Sequence, residues 1–263
     1  MYDYAIFQED YPMYDFQRAS MWKRISAALF DIILLSIVVV GSAILLALAL
    51  NIDGNGKDFE DIQTNYKITY GVQDIEKSYS ELTEEERVKY DAYMEALSSD
   101  AEAVRLYSLI INQSFIIVTF SILIGYLLME FLIPLLFKNG QTLGKKIFGI
   151  AVMREDGVRL SPTLLFVRTV LGKYTVETMI PVLVALMIFF YAINLLIGLA
   201  VVAAILIAQA VFLIGTKTRS LLHDKLARTV TVDFASQLIF DTPEELLAYK
   251  QKLHAEKVEA ERE

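Results

Sequence analysis

Three stretches of this chain carry almost no charge over a length that few folds can bury. Residues 25–50 hold one charge, Asp31; residues 106–137 hold one, Glu130; residues 178–214 hold none. A helix of about 20 apolar residues spans the hydrocarbon of a bilayer. The first two runs therefore suit one crossing each, and the third, 37 residues long, suits two joined by a tight turn. The pattern predicts an all-α polytopic membrane protein with four transmembrane helices, at about 25–50, 107–136, 174–192 and 196–215. Asn194 and Gly198 bracket the expected turn. Ala47-Leu48-Ala49 has the look of a signal-peptidase site, but the apolar run before it is far longer than a signal core of roughly 7–15 residues. The first span is expected to stay uncleaved.

The net charge of −8 matters only through its distribution. Residues 51–105 contain 14 acids and 6 bases, whereas 138–175 contain 7 bases against Glu155 and Asp156. Residues 215–232 carry Lys217, Arg219, Lys225 and Arg228 against Asp224, and Arg18, Lys23 and Arg24 precede the first run. Short basic loops stay in the cytoplasm. The expected order is a cytoplasmic segment 1–24, a four-helix membrane domain at 25–50 and 106–232, an extracellular acidic helical insertion at 51–105, and a cytoplasmic helical tail at 233–263. That makes a multi-pass protein of the cell membrane with both termini cytoplasmic.

Local signals refine this plan. Thr83 followed three residues later by Glu86 is a capping box, with Glu84 and Glu85 favouring a helix N-terminus. Tyr79, Leu82, Val88, Tyr90, Tyr93, Met94 and Leu97 form a partial apolar stripe. Ile147, Phe148, Ile150 and Val152, then Glu155-Asp156-Gly157, predict a short cytoplasmic β-hairpin between the second and third spans. Asp241 or Thr242 before Pro243 starts a solvated tail helix.

The acids inside the spans are the candidates for chemistry. Asp31 lies seven residues beyond Arg24, about 10 Å and two turns along a helix, so both share a face. Glu130, Glu177 and Gln209 fall at a similar depth on the other three spans. An ionised carboxylate there costs a few kcal/mol unless a cation answers it. Arg24 and Arg168 are the expected partners of Asp31, with Lys173 a third cation able to reach in from the same side. Asp31, Glu130, Glu177, Arg24 and Arg168 are thus candidates for a ligand or ion site, or for a clamp that orients the helices. Asp224, the only acid among the bases after the fourth span, is expected to pin that segment through Lys145, Lys146 or Arg168.

Other chemistry finds no pattern. Gly140-Gln141-Thr142-Leu143-Gly144-Lys145-Lys146 has the wrong spacing for a phosphate loop. Two histidines and no cysteine make a zinc site improbable. No catalytic motif appears, so no enzyme activity, cofactor or metal is expected. Ala200, Ala204 and Ala208 give a small-residue face for internal packing or a homodimer. The expected partners are the lipid bilayer and a second copy or another membrane protein, with no nucleic acid.

Three stretches together, RISAALFDIILL, GQTLGKKIFGIAVMREDG and RSLLHDKLARTVTV, resemble the RDD family of mainly bacterial membrane proteins. Arg24, Asp31 and Asp224 match the Arg and two Asp for which the family is named. The long 51–105 loop and the tail after 233 depart from its pattern. The resemblance implies transport of a small ligand, including cation/proton exchange, or a small regulatory partner of other membrane proteins. On the transport reading Asp31 is the titrating site, with Glu130 and Glu177 as relay groups and Arg24 setting its pKa. The alternative, favoured by the long loop, is a non-enzymatic scaffold or regulator that binds partner proteins through its outer loop and cytoplasmic tail.

Overall fold

The computed structural model describes residues 17–73, 78–137, 139–216 and 218–260. Residues 1–16, 74–77, Lys138, Lys217 and residues 261–263, which enter the charge and boundary arguments above, lie outside the described residues. The protein is mostly helical, with four helices long and apolar enough to cross a membrane. The chain divides into two compact units, 39–122 and the remainder.

The helices are α1 (Met21–Leu50), α2 (Ile52–Tyr70), α3 (Glu84–Ser99) and α4 (Ala101–Phe137); then come α5 (Leu143–Ile147), α6 (Pro162–Phe189), α7 (Leu195–Gly215), α8 (Leu222–Leu226) and α9 (Pro243–Ala260). Strands β1 (Ile150–Arg154) and β2 (Thr229–Asp233) form one antiparallel ladder. The apolar helices α1, α4, α6 and α7 keep much of their surface outward. Ile33, Ile37, Leu45 and Leu48 on α1 and Leu206 and Ile207 on α7 are exposed, which suits a lipid covering and not water. Ala200 and Ala204 are exposed too, so the small-residue face is not used inside the chain.

The 39–122 unit has its own core. Val72, Tyr93, Leu97 and Ala103 are buried, with Phe59, Ile62, Tyr66, Tyr70 and Tyr90 packed round them. The helical insertion expected from the sequence is therefore present. Its capping box forms as read, with the Thr83 N–H donating to Glu86 Oε2 at 2.8 Å and the Glu86 N–H donating to Thr83 Oγ1 at 3.3 Å. Leu82 and Leu97 of the apolar stripe are buried, whereas Val88 and Met94 face out. Asp100 caps α4 by accepting from Glu102 and Ala103 N–H.

Two expectations are corrected in the other unit. The Glu155-Asp156-Gly157 turn forms, with Gly157 at φ 91° and its N–H donating to the Arg154 carbonyl at 3.1 Å. The hairpin does not: the returning chain makes one bridge, Met153 to Arg159, and leaves for α6. The partner of β1 is β2, nearly 80 residues on, in register from Ile150 opposite Asp233 to Arg154 opposite Thr229. Both faces of the ladder are covered. Ala151, Met153, Val230 and Val232 pack on one side, and Val152 on the other meets Leu160 and Leu165. A strand buried on both faces gains more here than in a two-stranded hairpin open to water.

The second correction concerns the basic loop. Residues 162–175 are not loop but the first half of α6, started by Ser161, whose Oγ accepts from Leu164 N–H, with Pro162 at the first position. Charges within this half suggest an exposed segment, yet Arg168 is 2% exposed. The α6–α7 turn matches expectation: Asn194 Oδ1 accepts from Leu196 N–H at 2.9 Å. A Cβ on Gly198 would stand 2.5 Å from Ile188, so glycine permits that close approach. Thr242 begins α9 by accepting from Glu245 N–H.

Candidate functional site

The site lies within the unit that holds both ends of the chain. Two prolines shape it. Pro134 and Pro181 lack an N–H, so the carbonyls four residues earlier lose their helical partner. Those residues are Glu130 and Glu177. The helix widens at each place, with Ile133 N–H bonding the Leu128 carbonyl and Ile180 N–H bonding the Thr175 carbonyl, five residues back. The freed Glu130 carbonyl accepts from Thr169 Oγ1 at 3.0 Å. The prolines thus loosen α4 and α6 at the same level and couple them side by side.

The charged side chains meet around a cavity of about 390 Å³. Its wall includes Asp31, Glu130, Glu177 and Asp224 together with Arg24, Lys145, Arg168, Lys173, Arg219 and His223. Most of the acids are answered at close range. Arg168 Nε and Nη2 both lie 2.9 Å from Asp224 Oδ1, and Thr229 Oγ1 donates to the same oxygen at 3.1 Å. Burial raises the Asp224 carboxyl, but Arg168, His223 and Lys145 together outweigh burial and hold it below the usual carboxylate range. The expected pinning of the segment after the fourth span occurs, and Arg168 performs it.

Glu130 pairs with Lys173 at 2.6 Å, with Lys145 Nζ farther off at 4.0 Å. Glu177 clasps His223, whose Nδ1 lies 2.8 and 2.9 Å from the two carboxylate oxygens and whose backbone N–H donates to Oε1 at 2.9 Å. Burial holds the His223 imidazole below its ordinary value, against the opposing pull of Asp224. Gly172 lets α6 pass His223 so closely that a Cβ there would lie 2.6 Å from the histidine Cβ.

Asp31 overturns the expected pairing. No cation pairs with it among the described residues; it accepts from the Thr142 hydroxyl and from Gly144 N–H, the latter at 2.8 Å. A Cβ on Gly144 would lie 2.4 Å from the Ala27 carbonyl and 2.9 Å from the Asp31 carboxylate. Only glycine lets the start of α5 sit on α1. The Gly-Gln-Thr-Leu-Gly loop therefore cradles a carboxylate where its outline suggested a phosphate. Neutral donors suffice for a buried carboxylate when their N–H and O–H dipoles point at it.

Arg24 is engaged elsewhere, donating to the Arg219 carbonyl at 3.0 Å and the Thr231 carbonyl at 2.6 Å. Lys146 also departs from expectation: its ammonium sits 3.8 Å from the centroid of Phe137, away from Asp224. Lys145 is left without a close partner. Its Nζ is buried and makes no hydrogen bond. Burial, with Lys173 nearby and Glu130 only partly offsetting it, pushes this amine down to about 7.

Sequence reasoning missed the Thr142–Gly144 cradle, the His223–Glu177 pair and the buried Lys145 ammonium that makes no hydrogen bond. One signal for the layer was readable, since each of the two span glutamates stands four residues before a proline. Among known proteins, the RDD family model matches residues 18–228. That range takes in the long insertion and ends just before β2. No curated protein and no solved structure matches the chain.

Proposed function

Since the chain belongs to the RDD family, whose members are membrane proteins, we propose that its four apolar helices cross the cell membrane with both termini cytoplasmic, and that the charged cavity transports a cation, a proton or another small ligand, with cation and proton in exchange. The excess of bases beside Arg24 and after α7, against the acidic 51–105 segment, supports this orientation. No chemical transformation is part of the reading.

The carrying observation is Lys145. In the cavity, Asp224, Glu130 and Glu177 have close basic or imidazole partners and Asp31 has two neutral donors. Lys145 has none, and its amine gains and loses a proton near neutral pH. The titrating role expected of Asp31 therefore moves to Lys145, with Glu130 as its nearest opposite charge. A cation arriving near Glu130 competes with the lysine proton, which is the basis of exchange.

The test is proton flux in proteoliposomes under an imposed pH gradient, with sodium, potassium and lithium supplied in turn. Wild-type protein is expected to carry a cation-dependent flux, and Lys145→Met to lose it at least tenfold while still unfolding in a cooperative thermal transition. Full flux in the variant would overturn the assignment. No flux with any cation would favour the scaffold reading, which draws support from the independent core of the 39–122 unit.

A further inference from the structure

A second, smaller cavity of about 250 Å³ is lined by Arg18, Ala19, Ser20, Met21, Arg24 and Arg219. Three of its six residues are arginines and none is acidic. Asp224 attracts Arg24, while the guanidinium groups of Arg18 and Arg219 lie near enough to repel it. Among the described residues, neither Arg18 nor Arg219 makes a side-chain hydrogen bond or ion pair. Arg24 spends Nη1 and Nη2 on backbone carbonyls, while its Nε is buried without a partner. Arg219 also holds a left-handed backbone at φ 48°, an unfavourable conformation for a residue with a side chain.

Arg18 and Arg219 are exposed and Arg24 is partly buried, so three like charges round one hollow favour an anion entering it. The contrast with the larger cavity is direct. There, carboxylates sit among the cations; here, every ionisable wall residue is a base. Arginine forks match the oxygens of a phosphate in pairs. The first turn of α1, which borders the hollow, holds no acid; Ser20 Oγ accepts from Lys23 N–H at 3.3 Å.

The position selects the source. Arg24 is the last base before the apolar run of α1, and the neighbouring Trp22 and Ile25 are 79% and 43% exposed. An outward tryptophan beside the end of an apolar helix marks headgroup depth. We propose that Arg18, Arg24 and Arg219 form a binding site for a phosphate group, presented by the headgroup of an anionic phospholipid. The site shares Arg24 and Arg219 with the wall of the larger cavity, but the proposal stands whether or not the transport reading holds.

Melting temperatures of the detergent-purified full chain test it, with added phosphatidylglycerol, phosphatidylcholine or sodium phosphate. Phosphatidylglycerol is expected to raise the wild-type value by about 3–6 °C at a concentration about tenfold above Kd. Phosphatidylcholine should do little. The double variant Arg18→Gln/Arg219→Gln should lose most of the rise, and Lys250→Gln/Lys252→Gln, which removes two bases from α9, should keep it. If the double variant does not fold, Arg18→Gln alone should lose about half. A rise with sodium phosphate that the arginine variants abolish also supports the phosphate site and assigns it to the free ion. An equal rise in the arginine and lysine variants, or no rise in the wild type, overturns the proposal.

Discussion

The two units of this chain solve the burial of polar groups in opposite ways. The 39–122 unit keeps its charges at the surface and fills its core with tyrosine, leucine and valine. Its ion pairs, such as Lys89–Glu85 and Arg105–Glu102, are solvent-exposed. The other unit draws Asp31, Glu130, Arg168, His223 and Asp224 to below a tenth of their exposure. Exposed pairs contribute little because water would serve either partner nearly as well. Buried pairs are unforgiving, because each partner is the other's only solvent. The comparison teaches that the same residue types play minor roles in one unit and set the architecture in the other.

The sharpest way to break the comparison is to remove one buried charge. Asp224→Leu leaves Arg168 enclosed and unpaired, and a loss of about 3–5 kcal/mol is expected. Arg168→Met added to it should restore most of that loss. A thermal double-mutant cycle reads both, and strict additivity would show that the pair does not act as a unit.

A smaller effect, with a sign of its own, is expected of Lys145. Its folded pKa of about 7 lies below the ordinary 10.5 of the unfolded chain. Between those values the unfolded state holds a proton that the folded state has released, so stability rises with pH across that window. Glu130, Lys173, Arg168 and Asp31 are the charged groups that act on it. Melting temperatures measured from pH 6.5 to 9 should climb more in the wild type than in Lys145→Met. Parallel curves would show that the lysine keeps its proton in the fold.

The smallest effect belongs to the 39–122 unit. Thr83→Ala removes the side-chain half of the α3 cap and is expected to cost about 1 kcal/mol. Hydrogen exchange should report it in α3. A loss as large as that of Asp224→Leu would erase the distinction between the units.

The number of apolar helices was legible because hydrocarbon length sets a count of residues and any charge in the run stands out. The start of α6 was not. Arg168 and Lys173 look like loop residues until Asp224 and Glu130, far away in sequence, are brought to them. Pairing of β1 with β2 was hidden for the same reason, since Thr229–Asp233 has the alternation of a strand but nothing local names its partner. The Arg168–Asp224 contact could be anticipated because one acid stood among many bases. The cradle of Asp31 could not, because one of its two donors is a backbone N–H, which every residue but proline carries.

The ladder also counts. Paired strands cannot be separated by a bilayer, so the chain between them must cross an even number of times. β1 precedes α6 and β2 follows α7. Gln17 and Arg18, before α1, join the same edge: the Asp233 N–H donates to the Gln17 carbonyl and Arg18 bridges Val232. The crossings from Arg18 to Ile150 must be even as well. An odd excursion, with one apolar helix lying flat while its neighbours insert, would pull the ladder to opposite faces. The five β1–β2 pairs thus set the parity of α6 and α7, and the Gln17 and Arg18 contacts with β2 set that of α1 and α4.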